Sequence, residues 1–227
     1  KMKNINNIYV LGTSHVAKQS VSQVKKQIRE LNPEIVAIEL DKNRLHSLQH
    51  NTKRPKNLEM IKYLGLGGFL FYIFGEFAQK KIGKILDINP GEDMFTAYKT
   101  AKKNKSKIAL IDRDIQITLR RFSKFFKFKE LVKIIFDILK GTKTKETIDL
   151  NNVPSDKLIE FVISEVKDKY PTIYKVLVYE RDIYMGKKLV ALSLVFPNDK
   201  ILAVVGAGHV NGITKYLKKI LNSNEAV

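Results

Sequence analysis

The amino-acid sequence predicts an α/β fold, with a mainly parallel central sheet flanked by helices and with a helical insertion and a helical cap. Three observations support this class. Four short apolar runs have the composition of buried strands, segments with helical periodicity lie between them, and polar residues follow the ends of the runs. The 227 residues are enough for one well-packed domain, so we expect residues 1–227 to form a single domain.

The first three elements form a strand-helix-strand unit. "NIYVLG" (7–12) is a short apolar run that ends at a glycine, and apolar residues then recur at helical spacing from Val21 to Leu31. Ser20 and Gln23 match a capping box that would begin this helix. "EIVAIEL" (34–40) is short and rich in β-branched residues, which favours a strand. A crossover of this length predicts parallel pairing of the two strands.

Two further strands are predicted at "KIALID" (107–112) and "KILAVVG" (200–206). Continuous apolar runs of this kind are typical of a sheet that is covered on both faces. Helical periodicity predicts an insertion at about 58–104 and a cap at about 114–196, and Pro171 suits the first position of the last cap helix. The helical segments are 58–84, a helix with Met94, Phe95, Tyr98 and Ala101, and then 128–141, 154–170 and 171–196.

Composition limits the classes of function. The formal net charge is +18, yet only seven of the 41 basic residues are arginine, and no stacking or helix-turn-helix motif is present. Because nucleic-acid recognition relies on the planar guanidinium, we predict no nucleic-acid partner. The absence of cysteine excludes disulfides and thiol catalysis. The longest apolar stretch (63–78) is interrupted by Glu76 and is too short for a membrane-spanning helix.

Polar residues follow all four predicted strands. His15 follows the first strand in "VLGTSHV" (10–16), and His209 follows the last in "VVGAGHV" (204–210), so one Gly-x-x-His motif lies near each end of the chain. Glu39 lies at the end of the second strand, and Asp112-Arg113-Asp114 follows the third. In open parallel sheets the ligand crevice lies at the carboxyl ends of the strands, so we expect these side chains to converge.

Two histidines and a carboxylate are a suitable ligand set for a first-row divalent metal, and they can also act as acid and base. The glycines at positions 12 and 206 would permit positive φ and close backbone approach, which lets each histidine turn over the edge of the sheet. We therefore predict that His15, His209 and Glu39 form a metal-binding, catalytic cluster.

Each of these residues also has a structural interpretation. A glycine after a strand is the ordinary start of a βα turn. Glu39 could pair with Arg44 or Arg113, and "DRD" could be a surface turn. Arg181 lies on an apolar helical face, so it is expected to be buried and directed at a carboxylate or at an anionic ligand; a salt bridge is an equal alternative.

The remaining two histidines, His46 and His50, are flanked by polar residues and are interpreted as surface positions.

Six segments in this order resemble the TraB/PrgY pheromone-shutdown family, which is related to the Tiki and GumN proteins and to the erythromycin-esterase/ChaN-like superfamily. They are "GTSH" (12–15), "VAIELDKNRLHSL" (36–48), "PGEDMFTAY" (90–98), "LIDRDIQITLRR" (110–121), "YERDIYM" (179–185) and "GAGH" (206–209). A single Gly-x-x-His is a weak signal, but two such motifs with the Glu and Arg segments between them are specific. The resemblance extends over nearly the whole chain and implies a hydrolase fold.

The resemblance implies a metal-dependent hydrolase, and in particular a peptidase that uses manganese or cobalt, with zinc as the alternative. His15 and His209 match the motif histidines, and Glu39 matches the glutamate, as metal ligand or general base. Arg113 and Arg181 match arginines near the site and are assigned to catalysis. Substrate contacts are assigned to Arg121, Asp112 and Glu92.

The second hypothesis is a non-catalytic protein that binds and sequesters a peptide pheromone. The resemblance also implies membrane association of the full-length protein, because membrane segments often follow this region in archaeal and eukaryotic members; either the chain ends before such a domain or it is a soluble variant. The apolar segment at 65–77 is interpreted as a buried helix, with a homodimer interface, a lid or a membrane contact as alternatives. We expect a homodimer.

Overall fold

Five strands form one sheet in the computed structural model, which describes residues 2–13, 18–50, 91–125, 130 and 156–221. The strands are β1 (Met2–Ile5), β2 (Ile8–Thr13), β3 (Ile35–Ile38), β4 (Lys107–Leu110) and β5 (Ile201–Gly206). Their order across the sheet is β1-β2-β5-β3-β4, and only the edge strand β1 is antiparallel to its neighbour. The predicted α/β class with a mainly parallel sheet is confirmed.

The helices connect the strands and cover the sheet. They are α1 (Lys18–Leu31), α2 (Lys42–His50), α3 (Glu92–Lys103), α4 (Ile115–Phe125), α5 (Asp156–Lys169), α6 (Pro171–Tyr174), α7 (Glu180–Val195) and α8 (Ala207–Leu221). A π-helical turn (Lys175–Tyr179) joins α6 to α7 without interruption. Within the described residues, no helix has both the length and the hydropathy needed to cross a membrane.

The hydrophobic core lies on both faces of the sheet, as the continuous apolar strands predicted. Alternate residues of β5 point to opposite sides, with Ala203 on one and Val204 on the other. On one face, α7 and α8 contribute residues such as Leu189 and Ile213. On the other face, α1 and α3 contribute residues such as Ile28. Each fully buried aliphatic side chain of this kind stabilises the fold by about 1.5–3 kcal/mol.

All four predicted strands are present, and β1 is an addition. Its sequence "MKNI" is short and half polar, and it is held by a tight turn with Asn6 at positive φ. Pro171 does occupy the start of a helix, as predicted. The capping box is wrong, because α1 already includes Lys18 and Ser20 is a buried residue within the helix.

The insertion and the cap are described in part. Of the predicted helical segments, 58–84 lies outside the described residues, as does nearly all of 128–141. The helix predicted around Met94 is α3, and the segments 154–170 and 171–196 correspond to α5 and to the run from α6 to α7. His46 and His50 lie on α2 and are exposed, as predicted.

Candidate functional site

Arg181, whose side chain is 16% exposed, forms the centre of a largely buried ion cluster at the carboxyl edge of the sheet. Glu39 follows β3 and Asp112 lies just beyond β4, so these neighbouring parallel strands bring the two carboxylates together. Arg181, in the first turn of α7, pairs with both. Its Nη2 contacts Glu39 Oε1 and lies 2.7 Å from Asp112 Oδ2, and its Nε lies 3.0 Å from Asp112 Oδ1.

The second oxygen of Glu39 is also engaged. Its Oε2 accepts a hydrogen bond of 2.6 Å from the backbone N–H of Gly206, at the end of β5. Glu39 is only 2% exposed. A carboxylate buried to this extent requires charged or hydrogen-bonded partners, and Arg181 and Gly206 supply them.

His209 joins the same cluster from the first turn of α8. Its Nδ1 lies 2.6 Å from Asp182 Oδ1, and its Nε2 lies 3.1 Å from Arg181 Nη1 and 3.4 Å from Glu39 Oε1. A guanidinium only donates hydrogen bonds, so Nε2 must be the acceptor and the proton must be on Nδ1, where it is donated to Asp182. In this tautomer the Nε2 lone pair faces Glu39 and Arg181.

Ion pairs and hydrogen bonds in the cluster favour the charged forms of Arg181 and Asp182. Burial lowers the pKa of Arg181, but the charges of Glu39 and Asp112 outweigh burial and hold that pKa above its ordinary value, so the guanidinium stays protonated. Burial raises the pKa of the Asp182 carboxyl above its ordinary value, and the hydrogen bond from His209 opposes that shift. The cluster is therefore a network of buried groups in which every pairwise contact matters.

The other two predicted arginines, Arg113 and Arg121, pair with a different carboxylate, that of Glu180. Arg113 Nη1 lies 3.2 Å from Glu180 Oε2, and Arg121 contacts both oxygens of Glu180 at 2.6 and 2.8 Å. These hydrogen bonds, led by that of Arg121, hold the pKa of Glu180 below its ordinary value despite its burial. The structure thus places Arg113 and Arg121 on Glu180, and their predicted roles in catalysis and substrate binding stay predictions.

The π-helical turn (Lys175–Tyr179) ends directly before Glu180 and Arg181, which belong to the two groups of ion pairs described above. Arg113 Nη2 donates to the carbonyl of Val176 at 3.2 Å, and Arg181 Nη1 donates to the carbonyl of Leu177 at 3.2 Å. π-Helical turns shift the hydrogen-bond ladder by one residue and occur frequently at functional sites. Here the two guanidinium groups hold the turn from which Glu180, Arg181 and Asp182 project.

Asp93 reaches the sheet, whereas its neighbour Glu92, the predicted substrate contact, is exposed. Thr13 Oγ1 donates to Asp93 Oδ2 at 2.5 Å, and the backbone N–H of Met94 donates to Asp93 Oδ1 at 2.8 Å. This pair joins α3 to the carboxyl end of β2, beside the strand that carries Gly206. Sequence reasoning missed Asp93, although it lies in the same "PGED" segment.

Asp182 was also missed. The available signal was an acidic residue inside the apolar segment 171–196, directly after the arginine predicted to be buried. Asp182 is 5% exposed, and such a residue needs a partner; His209 is that partner.

Gly12 permits close packing at the edge of the sheet. A Cβ at Gly12 would lie 2.7 Å from Val210 Cγ2 and 3.3 Å from Ala207 Cα, so the predicted close approach is confirmed. The predicted positive φ is wrong for Gly12 and Gly206, since among the described glycines that conformation occurs at Gly91. Gly206 is instead the last residue of β5, in register with Thr13. The first turn of α8 follows directly, at the edge of the sheet.

His15 belongs to the segment 14–17, which lies outside the described residues. Of the predicted site residues, the structure brings together Glu39, Asp112, Arg181 and His209. In the part of the chain that it describes, no group of three His, Asp or Glu side chains has the arrangement of a metal site. The predicted metal site of His15, His209 and Glu39 therefore stays a prediction.

Comparison with known proteins agrees with the resemblance seen in the motifs. The profile of the TraB/PrgY/gumN family matches residues 2–224. A Methanocaldococcus jannaschii protein described only as uncharacterized is 43% identical over 225 residues, which is 96% of this chain and 55% of the relative. The TraB domain-containing proteins of Mus musculus and Homo sapiens are 27% and 26% identical over 244 residues, in each case 97% of this chain and 65% of the relative. The chain spans little more than half of the archaeal relative and just under two thirds of the mammalian ones. This chain belongs to the TraB/PrgY/gumN family.

Proposed function

We propose that this protein is a metal-dependent hydrolase that acts on peptides, with His209 and Glu39 as two of the metal ligands. One observation supports this most directly. The unprotonated Nε2 of His209 and Oε1 of Glu39 lie 3.4 Å apart at the carboxyl edge of the sheet, where open α/β sheets bind their ligands.

The two side chains have the donor chemistry of a divalent metal site. Ligands about 2.1 Å from one ion lie about 3.0–3.4 Å from each other in octahedral or tetrahedral geometry, and the observed separation of 3.4 Å is within that span. Metal-ligating histidines characteristically donate their other ring N–H to a carboxylate, which is the contact between His209 and Asp182. A manganese or cobalt ion, or zinc, would activate a water molecule and polarise the scissile carbonyl.

Three residues of the ion cluster, Asp182, Glu39 and Arg181, have separate roles in this proposal. Asp182 fixes the tautomer and the ring orientation of His209. Glu39 serves as ligand or as general base toward water. Arg181 remains anchored to Asp112 through two hydrogen bonds, so it can stabilise developing negative charge or hold a substrate carboxylate beside Glu39.

A second candidate is a non-catalytic peptide-binding protein. The observation in its favour is that both oxygens of Glu39 already have partners, Arg181 and the Gly206 N–H. A carboxylate with both oxygens paired can stabilise the walls of a binding cleft. Arg181 could then bind a peptide carboxylate in that cleft without cleavage of the peptide.

The deciding experiment incubates the protein with manganese and a mixture of synthetic peptides and follows the products by mass spectrometry. We expect cleavage by the unaltered protein and a loss of about 100-fold or more in His209→Ala and in Glu39→Gln. His50→Ala is the matched control, because His50 is exposed on α2, and it should cleave at the original rate.

The outcomes separate the two candidates. Retention of intact peptide without products, unchanged by chelator, would favour the binding protein. Neither cleavage nor retention, together with no manganese bound at equilibrium, would overturn both.

The partners and the location are part of the same proposal. We propose a peptide ligand and a membrane-associated full-length protein, which the resemblance of the motifs supports, and a homodimer, for which the apolar segment at 65–77 is the candidate interface. Sedimentation of the purified protein over a range of concentrations tests the dimer. Co-fractionation of the full-length protein with membranes tests the location.

A further inference from the structure

A basic groove runs between α1 and α3, on the face of the sheet opposite to α7 and α8. It encloses about 470 Å³, which is within the usual range for a small-molecule site. Four cationic side chains line it, Lys25 and Arg29 from α1 and Lys99 and Lys103 from α3. All four are exposed, so their charged groups are available to a ligand.

The four cations have no acidic partner among the described residues. Lys99 lies over the ring of Phe95, 4.2 Å from its centroid, and no ion pair joins any of the four to a described carboxylate. By contrast, the neighbouring Lys26 is not among the described lining residues and pairs with Glu30 at 3.8 Å. Glu92 also lines the groove, so its described lining carries four positive charges and one negative charge, a net +3.

The spacing of the cations works against the stability of the helices. Lys25 and Arg29 are four residues apart on α1, and Lys99 and Lys103 are four residues apart on α3, so each helix carries a like-charge pair at neighbouring surface positions. The two pairs also face each other across one groove. An anion in the groove would relieve both the repulsion within each helix and the repulsion between the helices.

The helix dipole explains only part of this arrangement. Basic residues in the last turn are favourable, which accounts for Arg29 and Lys103. Lys25 and Lys99 lie at least one turn earlier, where that effect has faded. The lysine-rich composition raises the number of surface cations, but it does not by itself place four on two facing stripes around a cavity.

We propose that this groove binds a small polyanion that carries two or more phosphate groups. Charges four residues apart on a helix are separated by about 6 Å along the axis, which suits successive phosphates better than a single ion. The hydroxyls of Thr96 and Thr100 and the amide of Asn104 line the same cavity and can bond phosphate oxygens. Glu92 lines it too, and the four cations outnumber its single negative charge.

The phosphates could belong to a soluble ligand or to lipid headgroups, and two probes distinguish these sources. Inorganic tripolyphosphate is titrated into the protein by calorimetry at two salt concentrations. Vesicles of phosphatidylglycerol, with phosphatidylcholine vesicles as the neutral reference, are tested by co-sedimentation. Binding of either anionic probe is expected, weaker at high salt.

The variant Lys25→Gln/Lys99→Gln removes one cation from each helix and should weaken the binding of the anionic probe by about ten-fold or more. The control Lys157→Gln/Lys187→Gln makes the same change in net charge at exposed positions on α5 and α7 and should bind as the original does.

The proposal is overturned if neither anionic probe binds, or if the control variant loses as much affinity as the groove variant, since the second result would mean a response to net charge. The melting temperature of the groove variant should be unchanged or higher, because the substitution removes like-charge repulsion. None of these readouts depends on the hydrolase proposal, so each can fail without the other.

Discussion

His209 Nδ1 lies 2.6 Å from Asp182 Oδ1, and both residues are buried, with exposures of 7% and 5%. The contact depends on a glycine. Gly212, one turn further along α8, has no side chain, and the Asp182 carboxylate occupies the space where one would be. The pairing of histidine with aspartate is thus built into the packing of α7 against α8.

Gly212→Ala should therefore break the His209–Asp182 contact. The added methyl would overlap the Asp182 carboxylate, whose Cγ would be 2.6 Å away, so the side chain must move at a cost of about 1–3 kcal/mol. Nuclear magnetic resonance should show loss of the downfield Nδ1–H signal of His209, and urea unfolding should show the reduced stability.

Gly208→Ala is the control for this change. It lies on the same helix, and its Cβ would meet Ile163 Cδ1 at an ordinary 3.4 Å. The His209 signal should persist in this variant. Equal effects of the two substitutions would contradict the packing argument.

Arg181→Met should be strongly destabilising. It leaves Glu39 and Asp112 buried together without their shared cation, and removal of one member of a buried ion cluster costs about 3–5 kcal/mol. Arg121→Met is the comparison, because Arg121 is 43% exposed on its side chain, and a pair of that kind contributes at most about 1 kcal/mol. Urea unfolding at neutral pH measures both. A loss at Arg181 no larger than that at Arg121 would mean that the cluster is not structurally essential.

The Glu180 carboxylate should make stability fall at acid pH. Its pKa is below the ordinary value of 4.5 in the folded protein, chiefly because of Arg121. A lowered folded-state pKa stabilises the fold above 4.5, and that contribution is lost as the pH falls through the folded-state pKa. Glu180→Gln should flatten the pH dependence of unfolding in that window.

Glu30→Gln provides the reference for the pH experiment, since Glu30 is exposed and pairs with Lys26 at only 3.8 Å. Its pH dependence should match that of the unaltered chain. If Glu180→Gln does the same, the assignment of the acid response to Glu180 is wrong.

The bond between Thr13 and Asp93 should tie α3 to β2. Thr13→Val removes a buried donor that lies 2.5 Å from Asp93 Oδ2, and a hydrogen bond to a charged group contributes about 1.5–3 kcal/mol. A double-variant cycle with Asp93→Asn should give a coupling of about 0.5–3 kcal/mol. Thr100→Val is the control, because the Thr100 hydroxyl makes no hydrogen bond with the described residues, and a coupling near zero in the cycle would refute the contact.

The strands and their shared edge could be predicted because apolar runs and the polar residues that follow them are local signals. Glu39, Asp112 and His209 converge for the simple reason that parallel strands end at one edge. Arg181 could be predicted as buried, since its helical face is otherwise apolar. Its ion pairs with Glu39 and Asp112 required the structure, and its contact with an anionic ligand stays a prediction.

The residues that were missed depend on rotation and packing. Glu92 and Asp93 are adjacent on α3, and a turn of about 100° per residue decides which of them faces the sheet. The position of β5 between β2 and β3 is a long-range pairing that no local pattern encodes. The partnership of Asp182 with His209 likewise requires knowing that α7 packs on α8 at Gly212.

The most direct test of the proposed function is anomalous scattering from crystals grown with manganese. We predict a peak within about 2–2.5 Å of both His209 Nε2 and Glu39 Oε1, weakened or lost in His209→Ala but retained in His50→Ala. Crystals that bind no manganese at this edge of the sheet, with Arg181 still seated on Glu39 at saturating metal, would contradict it.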